Sequence, residues 1–195
     1  MHRTDRWSYY APFSPPRELN FREWSPKEAR EYFGWFTAQL DARIDQLRRV
    51  AVGCNLDMSP TSLSCLGRFL VENVRTRPKP ATVAAAQRQA IKEPLRSLVP
   101  IEPWVLDGRT ISLAMDVGIY FGEVLRTAQP SLEWRLWQRA TVERNRPVLV
   151  GFRAGVPCDP FRLATNICFS AARGDLMPGR LTELFNVWSG KVDSG

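Results

Sequence analysis

Thr110-Ile111-Ser112-Leu113-Ala114-Met115-Asp116-Val117-Gly118-Ile119-Tyr120-Phe121-Gly122-Glu123-Val124-Leu125 is the longest apolar stretch of the chain, and its reading decides the fold. Asp116 and Glu123 interrupt it, so it reads as a buried helix and not as a membrane span. Over residues 110–128, Ile111, Ala114, Met115, Gly118, Gly122 and Leu125 share one broad face. Gly118 and Gly122 lie one turn apart, and each costs about 1 kcal/mol of helix stability against Ala. Close approach of another backbone is the usual reason for such a cost. The pair therefore marks this segment as the central helix of the molecule.

Outward from it toward the C-terminus, Pro130 ends the helix. Leu132, Trp134 and Leu136 then alternate with polar residues, the pattern of a half-buried strand. Val148, Leu149, Val150 and Phe152 form a second strand within residues 146–152, and the polar residues 139–145 join the two as an antiparallel hairpin. A lone hairpin is marginal and must pack on helices or gain a third strand, for which Trp104-Val105-Leu106 is the candidate. Asp159-Pro160 is an N-cap followed by a first-position proline, and Phe161, Ala164, Ile167, Cys168 and Ala171 line the helix it starts. A last helix runs from Pro178 to Ser189 with Leu181, Leu184, Phe185 and Trp188 on one face.

Toward the N-terminus, residues 75–80 read as a loop, followed by an Ala- and Gln-rich helix from Ala81 to Glu93 that Pro94 breaks. Ser59-Pro60 opens an earlier helix with Leu63, Leu66, Leu70 and Val74 on its apolar line. The first helix carries the plainest start signal, Ser25-Pro26 with Glu28 completing a capping box. Its stripe is Ala29, Phe33, Phe36, Leu40, Ile44, Leu47 and Ala51. Residues 1–24 contain Pro12, Pro15 and Pro16 and read as an extended arm, with too many aromatics to hang free. The expected fold is α+β and mostly α: five to six helices with a small antiparallel hairpin of two to three strands at about 132–152. It is one domain over 25–195 preceded by the arm. A chain of 195 residues buries roughly 70% of its unfolded surface and needs no metal or disulfide staple.

Chemistry is harder to find. The single histidine is His2, which leaves no partner for a Ser-His-Asp or Cys-His arrangement and no histidine metal site. Glycine-rich phosphate loops, nucleophile elbows and zinc-protease motifs are all missing. Cys54, Cys65, Cys158 and Cys168 show no C-x-x-C pair and sit in or beside apolar patterns, so all four read as buried free thiols. No catalytic residue, metal or cofactor is expected. Asp116, Tyr120 and Glu123 share a face of the central helix and are the one acid constellation to weigh, either as acid–base groups or as partners of nearby arginines. No apolar leader precedes residue 20, so the expected location is the cytoplasm.

The net charge is +7. Arg68, Arg75, Arg77, Lys79, Arg88, Lys92 and Arg96 against Glu72 and Glu93 place +5 of charge in one stretch. That stretch suits an acidic partner, or nucleic acid in the alternative reading, although it lacks interleaved aromatics for a stacking platform. The order Asp116, Gly118, Tyr120, Gly122, Glu123, then Trp134, then Arg146-Pro147-Val148, then Asp159-Pro160-Phe161 resembles a widespread group of bacterial proteins thought to include immunity proteins of polymorphic toxins. Ser25-Pro26 through Trp35-Phe36 is similar to the start of some members. The resemblance covers about half the chain and implies a binding protein, not an enzyme, whose partner is a cognate protein toxin. The alternatives are a nucleic-acid-binding regulator through 68–96 and an enzyme using Asp116, Tyr120 and Glu123. For a protein partner the expected contact residues are Arg139, Arg144 and Arg146 of the hairpin loop and Trp7 and Tyr10 of the arm, since Arg, Trp and Tyr are the usual interface anchors.

Overall fold

The central helix, α4, spans Gly108–Ala128 and starts where the Asp107 side chain accepts from the Thr110 N–H. Fourteen of its residues are buried, so it is apolar nearly all round and other elements cover it on every side. The structure is a computed structural model and describes residues 6–192. Around α4 stand α1 (Pro26–Val50), α2 (Ser62–Glu72), α5 (Pro160–Ala172) and α6 (Arg180–Ser189), each in contact with it. A sixth helix, α3 (Ala81–Ala90), has no buried residue and belongs to no layer. The fold is α+β and mostly α, with six α-helices among the described residues. No helix among them is long and apolar enough to cross a membrane.

The glycines of α4 do two different jobs. A Cβ on Gly118 would lie 2.9 Å from the backbone of Phe161, so this glycine lets the start of α5 come against α4. A Cβ on Gly122 would instead strike the indole of Trp134 at 2.5 Å. The second glycine therefore seats a side chain and not a backbone.

Trp134 lies in β3 (Glu133–Leu136), which pairs antiparallel with β4 (Pro147–Val150) in the register Trp134↔Leu149. β3 exposes Glu133 and Arg135 and turns Trp134 and Leu136 inward, the alternation read from the sequence. The third partner of this hairpin is not Trp104-Val105-Leu106. Cys158 bridges to Leu149 through two backbone hydrogen bonds of 2.8 and 2.9 Å. Trp104–Leu106 is β2, and it pairs with β1 (Thr76–Pro78) in a separate two-stranded sheet. Within the segment expected as a loop at 75–80, Thr76–Pro78 is thus a short strand, made one by the chain returning alongside it.

Two further expectations are corrected. Cys54 and Cys65 form a disulfide across the turn between α1 and α2, while Cys158 and Cys168 are free and buried. The turn doubles back through Gly53 and Met58, both at positive φ, and brings the two cysteines together. The stripe of α1 is also shifted: Tyr32 is buried where Phe33 is only half-buried, and Arg43 is buried beside Ile44. The capping box of Ser25 and Glu28 is formed as read. Residues 10–24 lie against the body without regular structure, with Tyr10, Phe21 and Trp24 in the core.

Two glycine substitutions separate crowding from helix propensity. Gly34→Ala, in α1 with open space around it, is expected to raise stability by about 0.5–1 kcal/mol. Gly118→Ala gains the same propensity but meets backbone atoms that cannot swing aside, and is expected to cost about 1–3 kcal/mol net. Urea unfolding of the two proteins should give midpoint shifts of opposite sign.

Candidate functional site

Asp116 is fully buried in α4 and is met by two groups from distant parts of the chain. Arg43 of α1 donates from Nε to Oδ1 at 2.6 Å and from Nη2 to Oδ2 at 2.8 Å. Tyr10 donates its hydroxyl to Oδ2 at 2.5 Å. Arg43 also reaches the Ala11 carbonyl at 2.8 Å, and the Phe13 N–H donates to Ser112 Oγ one turn before Asp116. One carboxylate thereby fastens the N-terminal segment to both α1 and α4. Burial pushes the Asp116 carboxyl up to about 6, against the pull of Arg43 and the Tyr10 hydroxyl. The Tyr10 hydroxyl is raised above its ordinary value by burial and then by the carboxylate beside it.

Tyr120 and Glu123, grouped with Asp116 on sequence, look to other partners. The Tyr120 hydroxyl accepts from the Met58 N–H at 2.9 Å and shares a 2.8 Å hydrogen bond with Ser62. It holds the α1–α2 turn at Met58, a non-glycine residue at φ 64°. Glu123 accepts from Trp134 Nε1 at 2.7 Å and pairs with Arg126 at 2.9 Å. The three side chains have no partner in common and serve the N-terminal segment, the α1–α2 turn and the hairpin respectively. Among the described residues no three His, Cys, Asp or Glu side chains gather in a way that would hold a metal ion. His2 lies outside the described residues.

The residues expected at a partner surface divide in two. Trp7 stacks on Phe69 and carries the Arg109 guanidinium 4.4 Å above its ring, and Tyr10 is buried, so both face the body. Arg146 pairs with the buried Asp159 at 3.2 Å and lies 4.6 Å over Phe21. It ties the foot of the hairpin to the cap of α5. Arg139, stacked on Trp137, and Arg144 are exposed at the loop tip. Asn145, at φ 64°, turns its amide inward to the carbonyls of Phe21 and Trp24.

Near Arg146 is a cavity of about 20 Å³, room for one water, lined by Tyr32, Phe36, Met115, Trp134, Arg146 and Asp159 among others. The buried Tyr32 hydroxyl has no hydrogen-bond partner among the described residues. Burial raises Asp159, whose carboxylate also caps α5 by accepting from the Arg162 N–H.

Sequence reasoning missed Arg43, and it read Asp159 as the cap of α5 without its pairing to Arg146. The signal for Arg43 was present: it falls seven residues after Phe36 and four before Leu47, inside the apolar stripe. Comparison of the chain with protein-family models, with curated proteins and with solved structures finds no match.

Two outcomes follow from the buried pair. Arg43→Met strands Asp116 and is expected to cost about 3–5 kcal/mol, whereas Tyr10→Phe, Arg43→Met and Asp116→Leu together should restore most of that loss on thermal denaturation. The folded state also holds the Asp116 proton more tightly than the unfolded chain does. Stability should therefore fall as pH rises from the ordinary 3.8 to about 6, and Asp116→Asn should reduce that slope in denaturant midpoints, leaving the part that Asp159 contributes.

Proposed function

We propose that this protein binds a cognate protein toxin directly and neutralises it, as an immunity protein does. The observation that carries the reading is the employment of three acids: the buried Asp116 and Asp159 and the half-buried Glu123 each hold one segment of chain to another. A rigid scaffold with its ionisable interior committed to packing is what a stoichiometric inhibitor requires. The resemblance in residues 116–161 supports the same reading. The excess of basic over acidic residues, +7 in all, favours an acidic partner, since opposite charge speeds encounter.

Cytoplasm is the proposed location; the Cys54–Cys65 disulfide is the one feature that points instead to oxidising surroundings. The nucleic-acid reading differs in one measurable way. Binding dominated by phosphate contacts would weaken steeply with salt, whereas a protein interface with an apolar centre would persist.

Neighbouring reading frames are the source of candidate toxins: co-expression with the product of one that is toxic on its own should rescue growth and yield a complex of the two chains on gel filtration. Absence of both rescue and complex rules the proposal out.

A further inference from the structure

Between β1 and β2 the chain leaves the body and returns to the same place. Pro78 is opposite Trp104, and the Lys79 N–H donates to the Pro103 carbonyl at 2.9 Å. Residues 80–102 lie beyond that closure. None of the ten residues of α3 is buried, and residues 92–100 are exposed throughout. The hydrogen bonds of residues 81–101 stay within the excursion: Lys79 to Gln87 at 2.7 Å and Arg96 to the Ile91 carbonyl at 3.0 Å. At its base, Glu102 is paired with Arg173 of α5 at 2.9 Å.

A helix of this length without tertiary packing is marginal in water. α3 has no side-chain cap, and five of its ten residues are Ala, so propensity alone favours it. Val83, Leu95, Leu98 and Val99 are exposed on the same excursion, Leu98 at 72% of its surface. Within 80–102 three cations, Arg88, Lys92 and Arg96, stand against Glu93 and Glu102, and Glu102 is taken up by Arg173 of the body. An apolar, basic arm that adds nothing to the core has its use outside the molecule.

We propose that residues 80–102 form a docking arm that seats in an apolar groove, bordered by acidic side chains, on a protein partner. Binding of a peptide segment in a groove uses apolar anchors for affinity and peripheral charges for steering; here Val83 lies on α3, and Leu95, Leu98 and Val99 on the turns after it. The arm supplies Val83, Leu95, Leu98 and Val99 as anchors and Arg88 and Lys92 as steering charges. Phosphate recognition would leave those four apolar side chains without a role, and the arm has no aromatic residue to stack on bases. This deepens the proposed neutralising function, on which it rests for the identity of the partner.

The test compares three variants with the parent chain against a toxic product of a neighbouring reading frame. In the first, residues 80–102 are replaced by Asn-Gly, a two-residue turn that closes Lys79 onto Pro103. It is expected to keep its fold, with a thermal midpoint within about 2 °C of the parent, and to lose neutralisation. The second keeps the arm but carries Arg88→Glu and Leu98→Glu, two exposed positions that leave the core untouched. Its affinity should fall about ten-fold or more. The third, Arg30→Ala with Arg49→Ala, removes two exposed cations of α1 instead and should bind within a factor of about three of the parent. If the parent neutralises the toxin and the arm variants do so equally well, the docking arm is refuted while the neutralising function stands. If the parent itself fails to bind, both fall together.

Discussion

The rest of the structure depends on one buried charge. Asp116 sits at the middle of the most buried helix, where an unpaired carboxylate would cost several kcal/mol. It is tolerated because Arg43 and Tyr10 reach it from α1 and from the N-terminal segment. Neither could do so unless both elements were in register with α4. The requirement that the charge be met therefore fixes how three separate parts of the chain lie together, a specificity that apolar contacts alone do not impose. Tyr120 repeats the device for the α1–α2 turn and Glu123 for the hairpin, each with a polar tip of α4 reaching outward.

Features governed by near neighbours in sequence were legible. The capping box at Ser25, the proline start at Asp159-Pro160 and the alternation around Trp134 all depend on residues within a few positions of each other. The close approach at Gly118 was also legible, because glycine in a long apolar helix has few other reasons to be there. What escaped was set by distant chain. Thr76-Arg77-Pro78 is a strand only because Trp104–Leu106 returns beside it. Cys54 and Cys65 meet only because the turn between them doubles back through Gly53 and Met58.

The candidate site shows the same division. Asp116, Tyr120 and Glu123 were rightly singled out as polar groups on an apolar helix, yet their spacing on one helix says nothing about what faces them. Arg146 could be placed in the hairpin loop from sequence, but its pairing with Asp159 joins segments that only the fold brings together. The exposure of α3 was the least legible property. Its Ala-rich sequence looks like that of many buried helices, and only the absence of a neighbour distinguishes it.

The closure of β1 on β2 gives the molecule a seam. A cut anywhere within residues 80–102 would leave one piece carrying α1 and α2 and another carrying α4, α5, α6 and the hairpin. Neither piece has a complete interior: the first would expose Leu47, Leu63 and Leu66, and the second would leave Asp116 without Arg43. Each piece is thus the other's missing half. The pieces would reassemble through the same buried charge that orders the uncut chain, so the protein could serve as a split pair whose rejoining reports when its halves meet.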